Sequence, residues 1–159
     1  MAPKFTLQAI LDYHHSRVEQ FEIELGSLNH QKAELEEMIS LLHYKKDEFL
    51  NELKNLQTGQ LDLLAIRQVQ SNLEVLEITI DKRLQDLYQV ELLVEEKRKE
   101  LLAAKQDEAV MDNLKEKEIK KFDLKIEAFE KRQQDDIYTS KTNMKMQMSK
   151  ASLDSGGYY

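Results

Sequence analysis

Four histidines are the first residues to weigh for chemistry: His14 and His15, adjacent in LDYHHSRVEQ, then His30 and His43. Imidazole is a common metal ligand and general base. Neighbouring residues on a helix project about 100° apart, so His14 and His15 do not readily share one ion. Neither His30 nor His43 belongs to a His-Glu-x-x-His pair. The chain also lacks a glycine-rich phosphate loop and a Gly-x-Ser-x-Gly elbow. The absence of cysteine excludes disulfides, thiolate chemistry and cysteine-ligated metal. Carboxylates are abundant, but on a helical surface they form solvated faces with no cleft to shift their pKa values. The expectation is a protein that is not an enzyme, with no catalytic or metal-binding residue and no cofactor.

The elements that carry these residues are two long heptad runs. Leu7, His14, Phe21, Leu28, Leu35, Leu42, Phe49 and Leu56 recur every seven residues, interleaved with Leu11, Val18, Leu25, Lys32, Ile39, Lys46 and Leu53. Alternating steps of four and three mark a left-handed coiled-coil seam. A second run has Ile66, Leu73, Ile80, Leu87, Val94 and Leu101, with Val69, Leu76, Arg83, Val90, Lys97 and Ala104 as companions. The two registers do not join, and the break coincides with Gln-Thr-Gly-Gln at 57–60. Glycine ends helices well by adopting the left-handed conformation, so Gly59 is placed in a hairpin turn. A short link makes the helices antiparallel neighbours. The predicted fold is all-α: an antiparallel coiled-coil hairpin over 1–140, with helices at 4–56 and 63–138 and a turn at about 57–62.

Folding back at residue 59 sets residue 5 opposite roughly residue 113. The second helix then overhangs the first, carrying Ile119, Phe122, Ile126 and Phe129 in helical spacing, shifted by about one residue from the preceding register. Exposed apolar stripes of this kind mark interfaces. The last stretch, 141–159, lacks a seam and is expected to be disordered. Its Met144, Met146 and Met148 are read as incidental to a floppy tail, the other reading being soft contacts to a partner. Lys32, Lys46, Arg83 and Lys97 fall in the seams, where they pack their methylene stems, control register, or both.

A charged fraction of 33%, few aromatics and one proline suit such a fold and not a thick core. A net charge of −7 argues against nucleic acid and against stable adsorption to an anionic membrane. The first residues, MAPKFTLQAILDYHH, lack the apolar centre of a signal peptide, and no segment is apolar enough to span a bilayer. An unprocessed cytoplasmic protein is expected.

The opening KFTLQAILDYHHSRVEQFEIELGSL, the lysine-rich LLAAKQDEAVMDNLKEKEIKKF and the later EKRQQDDIY together resemble the FliJ family, stalk components of the bacterial flagellar type III export apparatus. The likeness runs over about residues 4–138. It implies an antiparallel coil similar to the central stalk of rotary ATPases. It also implies the partners: the pore of the hexameric export ATPase, the cytoplasmic linker of the membrane export gate, and export chaperones. The protein would be cytoplasmic and peripherally associated with the inner-membrane apparatus. On this reading the ATPase contact comprises Ile119, Phe122, Ile126, Phe129 and Arg132. The gate contact lies in the half nearer the turn, at Leu41, Tyr44, Thr79 and Arg83, wholly or partly off the seam, with Leu76 nearby. The tail ending in Gly-Gly-Tyr-Tyr has no counterpart in the family pattern. Two other readings stay open: an injectisome stalk, and a generic coiled-coil scaffold forming a parallel homodimer.

Overall fold

Glu, Lys, Leu and Gln favour helix, and between Gly59 and Gly156 no glycine or proline interrupts them. The computed structural model describes residues 4–156 and contains two helices: α1, Gln8–Gln57, and α2, Leu63–Asp154. No strand occurs among the described residues. Two compact units divide the chain, one of residues 12–108 and one of 1–11 with 109–159.

In the 12–108 unit, α1 and α2 pair antiparallel. Cross-helix side-chain contacts run from His15 to Glu108, Glu22 to Lys105, Glu24 to Lys97, Lys32 to Glu91 and Lys46 to Glu77. Numbers on α1 rise as those on α2 fall. A parallel two-chain coil would not bring these residues of one chain together.

The seams lie where the heptads put them. Along α1 every position of the four-three series from Leu11 to Leu56 is buried or half-buried, and so is every one along α2 from Ile66 to Ala104. Val18, Ile39, Val69, Leu73, Leu76, Ile80, Val94 and Ala104 are the buried apolar residues of this unit. Each removes apolar surface from water, and a fully buried aliphatic side chain is worth about 1.5–3 kcal/mol. In the other unit the buried apolar residues are Leu11 and Met111.

The turn departs from expectation in its mechanism. It spans residues 58–62, yet no described residue, Gly59 included, has positive φ. What closes α1 is Thr58, whose N–H and hydroxyl both donate to the Asn55 carbonyl at 3.3 and 2.9 Å. What opens α2 is Asp62. Its carboxylate accepts from the N–H groups of Leu64 and Ala65 at 3.1 and 3.3 Å, satisfying donors that the first turn leaves without intrahelical acceptors.

Two boundaries also differ. α1 begins at Gln8, not at residue 4, and Leu7 is exposed at the helix entrance instead of opening the seam. Its carbonyl accepts the first intrahelical bond, from the Leu11 N–H at 3.0 Å. α2 does not stop at 138 but runs through 141–154, the stretch assigned to a disordered tail. Nothing there breaks a helix, and the hydroxyls of Thr139, Thr142, Ser149 and Ser152 donate to carbonyls three or four residues earlier at 2.8–2.9 Å. Residues 157–159 lie outside the described residues.

Candidate functional site

The α2 segment beyond Met111 carries the apolar stripe of Ile119, Phe122, Ile126 and Phe129. After Met111 every described residue is exposed except Lys115, Phe122 and Thr142, which are half-buried. Ile119 and Ile126 are about two-fifths exposed (39% and 38%) and Phe129 is 61% exposed. Arg132, the polar member of the set, is exposed as well. Half of the stripe keeps the seam's count and half is shifted from it by one residue. Phe122 and Phe129 continue the seven-residue series of Ile66 through Leu101, Glu108 and Lys115, with Phe122 still half-buried. Ile119 and Ile126 sit one position past the companion series, which is the expected one-residue shift. Local charge pairing supports the helix here. Lys120 reaches Glu116 one turn back at 2.9 Å, and that hydrogen bond holds the Glu116 carboxyl below its ordinary value.

The second candidate surface, in the 12–108 unit, divides by burial. Leu41 and Tyr44 are exposed on the outer face of α1, where with Met38, Leu42, Lys45 and Glu48 they line a shallow apolar groove. Thr79 and Arg83 are half-buried and locally engaged. The Thr79 hydroxyl donates to the Val75 carbonyl at 2.8 Å, and Arg83 pairs with Asp86 at 3.1 Å. Leu76 is only 8% exposed. It belongs to the seam series, so a partner reaches it only if the hairpin opens. The outer-face pair Leu41 and Tyr44 is therefore what this set presents.

Sequence reasoning named the seam cations without their partners. Lys97 pairs with Glu24 on α1 at 2.7 Å and Glu100 on α2 at 2.8 Å, and its ammonium lies 4.9 Å from the Phe21 ring centroid. Arg17 approaches the same ring at 5.3 Å. The hydrogen bonds to Glu100 and then Glu24 raise the Lys97 pKa, while that from Lys97, followed by one from Gln20, lowers the Glu24 pKa. Lys46 and Lys32 reach Glu77 and Glu91 at 3.3 and 3.9 Å, whereas Arg83 stays on its own helix. Three of the four seam cations thus bridge the helices, which gives the register reading its physical basis. The signal was available: each bridging glutamate follows from antiparallel pairing once the turn is placed.

His14 occupies the seam as expected, its ring edge-on to Tyr13 and its Nδ1 without a hydrogen bond among the described residues. His15 faces Glu108 at 3.0 Å, and His30 faces Glu34 at 3.2 Å.

No helix of the described residues is long and apolar enough to cross a membrane. Comparison with curated proteins and with solved structures finds no match. The family model described as "Flagellar FliJ protein" matches residues 3–147, over both helices and most of the segment beyond the hairpin. With its two-helix fold and a match across most of its length, the chain belongs to the FliJ family, non-enzymatic cytoplasmic components of the flagellar export apparatus.

Proposed function

We propose that this chain is the stalk of its export apparatus, docking the Ile119–Arg132 stretch of α2 into the pore of the hexameric export ATPase and favouring ring assembly. The observation that carries this reading is the exposed run of Ile119, Ile126 and Phe129 around half-buried Phe122, a spacing suited to helix-in-groove docking. An apolar stripe left in water is costly unless a partner covers it. Leu41 and Tyr44 would serve as the contact for the cytoplasmic linker of the membrane export gate. Exchange of export chaperones, and peripheral association with the inner membrane through these partners, complete the role. The chain itself would turn over no nucleotide and act by stabilising the closed ring.

The test is the double change Phe122→Ala and Phe129→Ala. Two phenylalanines contribute about 3–6 kcal/mol when fully buried at an interface, so capture by the ATPase should fall at least a hundredfold. Helicity by circular dichroism should be retained, because both residues lie beyond the 12–108 hairpin. A folded variant that binds the ring normally would move the contact elsewhere.

A further inference from the structure

Between Asp136 and Asp154 the chain has no acidic residue, although its net charge is −7. That stretch of α2 carries Lys141, Lys145 and Lys150, each exposed and without an ion-pair partner among the described residues. It also exposes Ile137, Met144 and Met148, three apolar side chains on one helical face with Lys141 and Lys145 at its edge. The outer face of α1 offers the converse. Met38, Leu41 and Tyr44 form an apolar floor from Glu34 to Glu48, and Glu37 and Glu48 on its rim have no ion-pair partner among the described residues. Among the described residues one cation, Lys45, shares this rim, and His30 is the contact of Glu34.

We propose that residues 137–153 of one copy dock on the Glu34–Glu48 face of a second copy. The two segments match in length, about 25 Å and about 22 Å of helix. They also match in chemistry, Met and Ile against Met, Leu and Tyr, and lysine against glutamate. A second copy is favoured over an anionic lipid surface by the charge of the rest of the chain. Residues 12–108 hold 21 acidic against 12 basic side chains, so a lipid surface that attracts the three lysines repels the hairpin. A second copy turns that acidity into attraction. Unlike surfaces meeting head to tail need not close into a ring, so the assembly grows with concentration.

Sedimentation velocity of the full chain tests this. At low ionic strength the average mass should rise with protein concentration and fall back when salt is added. Lys141→Glu with Lys145→Glu should weaken self-association about tenfold, and Glu37→Lys with Glu48→Lys should do the same. Mixing the two reversed variants should restore association, an outcome that general aggregation would not produce. All four positions are exposed, and circular dichroism verifies that each variant keeps its helices. Sedimentation as a single chain at every concentration overturns the proposal, as does association that neither charge reversal changes. A single chain that instead pellets with phosphatidylglycerol vesicles, but not with phosphatidylcholine vesicles, overturns it in favour of lipid.

Discussion

Asp62 and Gly59 stand three residues apart in the turn and have opposite weights. The Asp62 carboxylate caps two N–H groups of α2, and Asp62→Ala should lower unfolding free energy by about 1 kcal/mol. Gly59 has ordinary negative φ, and a Cβ added there meets nothing within 4 Å. Gly59→Ala should therefore stabilise the protein by about 0.4–1 kcal/mol, because it restricts only the unfolded chain. Urea titration of both variants checks the pair, and a destabilised Gly59→Ala would contradict the turn geometry. The Lys97 cluster makes a second prediction. Glu24 has its pKa depressed below 4.5, so the stability it contributes is present above that value and lost as pH falls through the lower, folded one. Lys97 has its pKa raised above 10.5, so its contribution is complete below 10.5 and lost as pH rises through the higher, folded value. Melting temperature should change little from Glu24 and Lys97 between about pH 5 and 10, with the acid-side fall reduced in a Glu24→Gln variant.

At the scale of elements, the two helices differ in what holds them. α1 from Leu11 onward has a seam on one side, and α2 has one up to Ala104, but 141–154 is helical with exposed side chains and only local hydrogen bonds. Amide hydrogen exchange should be slow at Val69–Val94 and fastest, within α2, at 141–154. Protection at Met146 equal to that at Ile80 would show that the segment has a partner in solution. The contrast also explains what could be read in advance. Seam residues such as Val69 and Leu76 repeat a period that only a long buried stripe requires, so pairing, turn position and burial were legible. The helix at 141–154 was not, because its residues neither repeat a seam nor break a helix, and composition alone pointed to disorder. Asp62 is legible in type, a cap residue just before an apolar run. The candidate stripe was legible from its spacing: Phe122 and Phe129 continue the seam series, and Ile119 and Ile126 sit one position past its companion series. Leu76 is a buried seam leucine, so Leu41 and Tyr44 are the exposed members of the second set.

For the molecule as a whole, the order of the cross-helix contacts along the 12–108 hairpin sets a sequence of loop closures. Lys46 and Glu77 enclose the shortest loop, Lys32 with Glu91 and Glu24 with Lys97 follow, and His15 with Glu108 closes the longest. Closing a short loop costs less chain entropy, and each closure brings the next pair within reach. Folding is therefore expected to nucleate at the turn and propagate away from it like a zipper. Stopped-flow kinetics would show this as a split. Leu53→Ala and Val69→Ala, near the turn, should mainly slow refolding, whereas Val18→Ala and Ala104→Gly, at the far end, should mainly speed unfolding. Equal partitioning at both ends would rule out a polarised nucleus. During synthesis the same geometry imposes a delay. α1 emerges from the ribosome with no mate and stays unpaired until the turn and the first heptads of α2 have followed. For that interval its seam leucines are open to chaperones and to other nascent chains.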